Sequence, residues 1–339
     1  MKKFFSMTAA ITSMTLLLSS APAVLAASPS SSTVQEVQNT LNLDQKVTKK
    51  LTDAITAVAG KQTIQFTSAD TAFDDNWIIN ATLTGTAEAD VSLHYDSKKG
   101  IVTSTMISYK ADDLDKIMGQ ALSKKVDSFL KSFDKDNKFE TEAFWRVKQD
   151  VNDGGLKNYW VIWGPKQSLY IDVDRNNQIS ASIQYKIKDT QAALTNKARN
   201  SLKTLGISEL KSFDYANLTQ KDKDTLWKYQ DDSDLNYVLI GSKSGKVWKV
   251  ANELGKDWNN DVDFKKSFAK PKLTKSKALS VAAPKVKSIF GLQLKGYSVD
   301  IKDNEYTFKK KGAATLIGKI NKKGAFYSFE AFSANGVRN

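Results

Sequence analysis

The chain has 339 residues, of which 41% are hydrophobic and 10% aromatic, as in a packed globular protein with room for two or more domains. It has no cysteine, which excludes a disulfide, a thiolate nucleophile and a cysteine-ligated metal site. The formal net charge of +13 favours an anionic partner.

The first residues predict a secretory signal peptide over residues 1–26. Lys2 and Lys3 precede a short apolar run, and Val24 and Ala26 occupy the −3 and −1 positions of a signal-peptidase site. This run is too short to span a bilayer, and no later segment approaches that length. We therefore expect a secreted protein, extracellular or cell-wall associated, that is cleaved near Ala26. A disordered tether is expected over residues 27–41, with no transmembrane segment in the mature chain.

Four stretches of the chain share one pattern, an amphipathic helix followed by alternating strands and a polar turn. The apolar helix positions recur every three or four residues and comprise Val47, Leu51, Ile55 and Val58; Ile117, Ala121, Leu122, Val126, Phe129, Leu130 and Phe133; Leu194, Ala198, Leu202 and Leu205; and Leu279, Ala282, Val286, Ile289 and Phe290. Gly206 and Gly291 are the predicted C-caps of the third and fourth helices. The last hairpin of each stretch turns at residues 96–100, 174–178, 241–245 and 321–324, where glycine or its Asn or Gln substitute supplies a positive φ.

These patterns predict an α+β fold of tandem small units, each with one helix packed on a three- to four-stranded antiparallel sheet. A basic linker is expected before the last unit, because the sequence there is rich in Lys and contains Asn and Pro. Small units bury little surface alone, so neighbours are expected to pack in pairs. The predicted units span residues 42–110, 111–188, 189–254 and 276–333, with the linker at 255–275 and a tail at 334–339.

The hairpin from Tyr237 to Val250, and next that from Leu169 to Tyr185, resembles the PepSY-type repeat of proteins exported by Gram-positive bacteria, including the YcdB/YcdC type. The shared pattern is a helix, then Tyr-x-Val-x-x, a polar turn ending in glycine, and x-Val. Gln178 departs from it in the second copy. The resemblance implies a non-catalytic protein of the cell envelope or extracellular space that binds a protein partner, for which a peptidase whose activity it modulates is one candidate.

The positive charge is concentrated in the last quarter of the chain, where residues 256–339 carry seventeen Lys and one Arg against seven acidic residues. Lysine point charges suit a diffuse anionic cell-wall polymer, whereas the four Arg of the chain are few for specific nucleic-acid recognition. The alternative is that these lysines only keep the protein soluble. The candidate polyanion-binding residues are Lys265, Lys266, Lys270, Lys272, Lys309, Lys310, Lys311, Lys322 and Lys323.

The aromatic run from Tyr159 to Trp163 is a second candidate surface. Strand alternation places Tyr159, Val161 and Trp163 on one face and Trp160 with Ile162 on the other. One face must meet a helix, and the other is either covered by a neighbouring unit or exposed to a peptide or sugar ring. Tyr159, Trp160 and Trp163 are therefore the candidate partner-binding residues.

No motif predicts a catalytic, cofactor-binding or metal site, and we expect a protein that is not an enzyme. His94, the sole histidine, is expected on the solvent face of a strand. Asp172-x-Asp174-x-Asn176 imitates the start of an EF-hand loop, but Asn177 stands where that loop needs glycine. A hairpin turn is the favoured interpretation, and weak calcium binding stays open.

Two alternatives to a non-catalytic binding protein remain. A carbohydrate hydrolase needs only two carboxylates, although turn roles are favoured for these candidates. A self-assembling surface or matrix protein would associate through its strand edges. The candidate carboxylates are Asp74, Asp75, Asp231, Asp232, Asp234, Asp261 and Asp263.

Overall fold

A computed structural model describes residues 41, 43–73, 75–134, 139–150, 155, 157–207, 213–231 and 235–339. The predicted signal peptide and all of the tether except Leu41 lie outside these residues. Five α-helices occur in the described part of the chain: α1 (Gln45–Ala59), α2 (Leu114–Phe133), α3 (Ala192–Leu205), α4 (Asp261–Ser267) and α5 (Lys275–Phe290). None of these helices combines the length and the hydropathy needed to cross a bilayer.

Strands make up most of the regular structure. They are β1 (Thr63–Phe73), β2 (Asn76–Thr84), β3 (Ala89–Asp96), β4 (Ile101–Lys110), β5 (Ala143–Gln149), β6 (Asn158–Gly164), β7 (Gln167–Asp172), β8 (Gln178–Lys186), β9 (Tyr215–Lys221), β10 (Asp224–Gln230), β11 (Asn236–Gly241), β12 (Val247–Asn252), β13 (Ser298–Lys302), β14 (Glu305–Lys309), β15 (Thr315–Ile320) and β16 (Phe326–Phe332). They join in one antiparallel sheet with the order β1 to β12, then β16, β15, β14 and β13.

The predicted fold of tandem helix-on-sheet units is therefore wrong. A helix does precede each set of four strands, but the sets do not form sheets of their own. Residues 104–110 of β4 pair with 143–149 of β5, and residues 181–186 of β8 pair with 215–220 of β9. Because an edge strand presents unpaired backbone groups, the next set of strands satisfies them and extends the sheet.

The chain divides into two compact units, Met1–Ile179 and Ser180–Asn339, and each is described by itself. In unit 1, Leu51 and Ile55 of α1 are fully buried in one cluster with side chains of β1 to β7. Asp44 caps α1 by accepting a hydrogen bond from the backbone N–H of Val47. Helix α2 is kinked at Gly119, where φ is 73°. The helices thus cover one face of the sheet in this unit.

In unit 2, α3 and α5 pack on one face of the sheet. Ala198, Leu202, Ala282 and Val286 are fully buried against strand residues such as Val250. Helices α3 and α5 end at Gly206 and Gly291, both left-handed, as predicted. Lys285 of α5 donates hydrogen bonds to the carbonyl oxygens of Thr204 and Leu205, which joins the two helices.

The last four strands, β13 to β16, join the rest of the sheet through β16. Strand β12 pairs with β16, with Val250 opposite Phe329, so β13 lies at the far end of the order. The 255–275 segment, predicted as a basic linker, contains α4. The Trp258 ring lies 5.2 Å from Phe264 and 5.6 Å from Phe268, which is buried in the core of unit 2.

The four predicted turns connect strands as expected, and Gly100, Gly245 and Gly324 have positive φ. In the second turn the residues with positive φ are Asn176 and Asn177, both at 54°, and Gln178 begins β8. Gln178 is therefore not the substitute for the turn glycine, because asparagine tolerates the left-handed region and takes that place.

Candidate polyanion-binding surface

The nine candidate polyanion-binding lysines all lie in unit 2, but they are divided between the two opposite ends of strand β15. Lys309, Lys310 and Lys311 lie where β14 leads to β15, whereas the others lie near α4 and the turn from β15 to β16. The six residues of β15 separate these ends by roughly 17 Å. We call the five exposed members at the second end the α4 group; they are Lys265, Lys266, Lys270, Lys272 and Lys323.

Ion pairing and hydrogen bonding hold α4 beside the turn from β15 to β16. Lys322 Nζ lies 3.1 Å from the Asp263 carboxylate, and the Lys322 backbone N–H donates to Asp257 Oδ1 at 2.7 Å. Asn321 Nδ2 donates to the carbonyl oxygen of Gly255 at 3.2 Å. These contacts bring Lys265 of α4 and its neighbour to the same end of the sheet as the turn that carries Lys323.

The loop between α4 and α5 is fixed to the same place. The Tyr306 hydroxyl accepts from the Leu273 backbone N–H at 2.9 Å and lies 3.1 Å from the Leu273 carbonyl oxygen, to which it donates. The Leu273 side chain packs at Gly324. Lys272 directly precedes Leu273 and is therefore close to the turn, and Lys270 lies two residues earlier in the same loop.

Helix α4 begins with a side-chain cap, and hydrogen bonds around this cap fix the position of Asp263. Asn260 Oδ1 accepts from the Asp263 backbone N–H at 2.9 Å. The Asp263 carboxylate accepts from the Asn259 N–H at 3.0 Å and from the Ser267 hydroxyl at 3.2 Å. The hydrogen bond from Asn259, followed by the one from Lys322, lowers the pKa of Asp263. This carboxylate is therefore occupied within the protein.

The α4 group carries positive charge that the protein does not neutralise. In the part of the chain that the structure describes, none of its five ammonium groups lies within 4.0 Å of a carboxylate. The sequence has no acidic residue from Phe264 to Val299. The acids near this end include the ion-paired Asp263 and Glu305, whereas Asp261 and Asp303 are exposed. A surface with such a surplus attracts anions over about a Debye length.

Two of the predicted lysines are engaged in ion pairs. The Lys322 side chain is 35% exposed and pairs with Asp263, so its role is to hold the turn. Lys309 Nζ lies 2.9 Å from the Asp300 carboxylate, and this hydrogen bond lowers the pKa of Asp300. Lys310 donates to the carbonyl oxygen of Lys295 and lies 5.9 Å from the centre of the Tyr297 ring. Lys311 is exposed.

The three candidate partner-binding aromatics do not form one surface. Trp160 packs with the helix-facing core at 6.2 Å from the Tyr109 and Phe144 rings. Tyr159 belongs to a separate small cluster with Val147 and Val161 and is 4% exposed. The predicted alternation is thus confirmed, but Tyr159 is covered and Trp163 is only partly exposed. Burial also raises the pKa of Tyr159 to about 12.

Among the described candidate carboxylates, Asp231 lies between two strands as a turn role predicts, whereas Asp261 and Asp263 lie in α4 and not in a turn. Asp231 accepts from Asn236 Nδ2 at 2.7 Å, and Asp174 accepts from Asn158 Nδ2 at 3.0 Å. Asp172 pairs with Arg175. In the residues that the structure describes, no group of three or more His, Asp or Glu is arranged to hold a metal ion. Asp74, Asp232 and Asp234 lie outside those residues.

A cleft of about 450 Å³ lies in unit 1, and its lining includes Asp174 of the turn that imitates an EF-hand loop. Asp150, Asp174, Lys148 and Lys157 contribute charged groups of both signs, and Ala54 lies on the wall. None of the described residues that line it is aromatic, so these residues offer no platform on which a sugar ring would stack. The sequence gives only a weak signal for this cleft: Asp150 directly follows the end of β5, a position where aspartate is common without any functional role.

No protein-family model matches the chain, and searches of the curated proteins and of the solved structures find no match. The PepSY-type resemblance therefore stays a prediction that rests on the hairpin sequences.

Proposed function

We propose that the protein is a secreted, non-catalytic binding protein whose α4 group holds an anionic polymer of the cell envelope. The observation that carries the proposal is the assembly of five exposed lysines from α4, its following loop and the β15–β16 turn, with no carboxylate paired to any of them in the described residues. The predicted signal peptide supports a location outside the membrane.

Lysine chemistry favours a diffuse polymer over a ligand with fixed geometry. Bidentate recognition of bases or single phosphates is typical of arginine, and three of the four arginines already contact other groups of the protein itself. Arg338 pairs with Asp224 and Glu330, Arg175 pairs with Asp172, and Arg146 is buried over the Trp160 ring. Flexible ammonium groups instead follow the changing positions of phosphates along a polymer chain.

The proposal is tested by binding to polyphosphate and by retention on purified cell-wall material. In the test variant all five members of the α4 group are changed to Gln. The control variant makes the same change at five exposed lysines of unit 1: Lys46, Lys61, Lys98, Lys124 and Lys131. Both variants lose the same charge, so net charge alone cannot separate them.

We expect the α4-group variant to lose at least tenfold in affinity for both materials, while the control variant loses much less. Added salt should weaken wild-type binding. Equal losses in the two variants would show that the lysines act only through net charge. Wild-type protein that binds neither material would contradict the proposal. The protein partner implied by the PepSY-type resemblance stays a prediction, because Trp160 lies on the opposite face of its strand from Tyr159 and Trp163.

A further inference from the structure

Two apolar side chains near the α4 group are far more exposed than any other large hydrophobic residue in the described chain. Val262 is 76% exposed and Leu254 is 63% exposed, whereas the next values, at Ile101 and Tyr215, are 41%. Exposure of this extent costs free energy in water unless another surface covers the side chain.

Both side chains lie at the end of unit 2 that carries the α4 group. Leu254 is the middle residue of a 3₁₀ turn, Glu253–Gly255, and the Gly255 carbonyl oxygen accepts from Asn321. Val262 lies on α4 directly before Asp263, whose carboxylate pairs with Lys322. The same β15–β16 turn therefore holds the segments of both residues.

Basic residues accompany each of the two. Lys265 and Lys266 follow Val262 by three and four residues on α4, and this spacing places them on its side of the helix. Lys256 follows Leu254 by two residues and pairs with Glu253. Exposed apolar side chains among lysines are typical of a protein surface that meets an anionic membrane.

We infer that this end of unit 2 docks on an anionic phospholipid bilayer, with Val262 and Leu254 entering the interface. Headgroup phosphates would contact the α4 group, and the apolar boundary below them would accept the two side chains. The inference shares its lysines with the proposed function but adds an apolar contact that a dissolved polymer does not offer. Charge complementarity selects an anionic bilayer over a neutral one.

The experiment measures cosedimentation with vesicles of phosphatidylglycerol and phosphatidylcholine, and with vesicles of phosphatidylcholine alone. The test variant is Leu254→Ser/Val262→Ser. The control variant, Ile101→Ser/Met106→Ser, removes the exposed apolar side chains of unit 1, which are 41% and 37% exposed. Affinity for soluble polyphosphate is measured for every protein, and thermal unfolding checks that each is folded.

We expect wild-type protein and the control variant to bind the anionic vesicles and not the neutral ones. The Leu254→Ser/Val262→Ser variant should bind anionic vesicles about tenfold more weakly, with unchanged affinity for polyphosphate. Equal binding of anionic vesicles by this variant and by wild type would overturn the inference. A wild-type protein that does not bind anionic vesicles would overturn it as well. Loss of polyphosphate binding in the α4-group variant is a separate readout, so failure of this inference can be told apart from failure of the proposed function.

Discussion

The ammonium group of Lys197 on α3 donates a 2.7 Å hydrogen bond to the carbonyl oxygen of Gly245, in the turn between β11 and β12. Lys50 of α1 makes the same contact with Gly100, and Lys125 of α2 makes it with Asn176. The partners are 48, 50 and 51 residues apart in the sequence. A helix lysine thus holds the last turn of each of the first three sets of strands within the one sheet.

Substitution of Lys197 should destabilise the fold modestly. Lys197→Met removes the charged donor but keeps a helix-forming apolar stem, so we expect a loss of about 0.5–1 kcal/mol in the free energy of unfolding, limited by solvent exposure. Urea unfolding measures it. Lys203→Met, on the same helix, is the control and should cost less. A Lys197→Met protein as stable as wild type would show that the contact contributes nothing.

The turn at Gly245 should tolerate asparagine better than alanine. Its φ is 60°, and a Cβ would lie 3.4 Å from the Leu194 side chain, an ordinary contact. The cost of Gly245→Ala is therefore conformational, and we expect about 1–2 kcal/mol of lost stability. Gly245→Asn should lose less, because asparagine takes the left-handed conformation at Asn176 and Asn177. Equal losses for the two variants in thermal unfolding would point to steric crowding instead.

The buried Tyr159 should make stability fall in alkaline solution. Burial raises the pKa of Tyr159 to about 12 in the folded protein, whereas an unfolded tyrosine ionises near pH 10. The folded state therefore holds a proton that the unfolded chain has released between these pH values. The contribution of the protonated Tyr159 phenol to the free energy of unfolding is fully present below pH 10. It declines by roughly 1.4 kcal/mol per pH unit from pH 10 to pH 12.

The measurement is urea unfolding from pH 8 to 12 for wild type and Tyr159→Phe. The variant should lose less stability above pH 10, and Tyr215→Phe, at an exposed tyrosine, is the control. Parallel curves for wild type and Tyr159→Phe would mean that the phenol is not protected from ionisation.

Local structure in this chain follows closely from its sequence. The stripe of Leu194, Ala198, Leu202 and Leu205 predicted α3, and all four side chains are buried. Gly206 ends that helix as expected, because glycine takes the left-handed conformation without steric cost. Side-chain spacing reports directly on which residues share a face, so such features can be predicted from the sequence.

The joining of the strand sets could not be predicted in the same way. Alternation in β4 and β5 shows which side chains are buried, but the contact between these strands is made by backbone groups that every residue carries. The pairing of β12 with β16 likewise has no sequence signal. Helix α4 did have one, since Asn260 precedes Phe264 and Phe268 at cap and i, i+4 spacing, but the surrounding lysines suggested a linker.

The charge pattern of the sequence predicts only part of the candidate polyanion-binding surface. The lysine surplus was plain in the sequence, whereas the partners that remove Lys322 and Lys309 from it depend on the fold. Asp263 lies 59 residues before Lys322, and no local pattern relates the two. The ion pair between Asp263 and Lys322 also places α4 beside the β15–β16 turn, and so brings the lysines of these two segments to one end of the sheet.

The salt dependence of polyphosphate binding tests the central claim most directly. A lysine that contacts a polyanion releases counterions, so the slope of log affinity against log salt reports the number of contacts. We predict a slope that is smaller by about 3 in the variant lacking the five ammonium groups of the α4 group, and a nearly unchanged slope in the unit 1 control. Identical slopes for wild type and the α4-group variant would contradict the account.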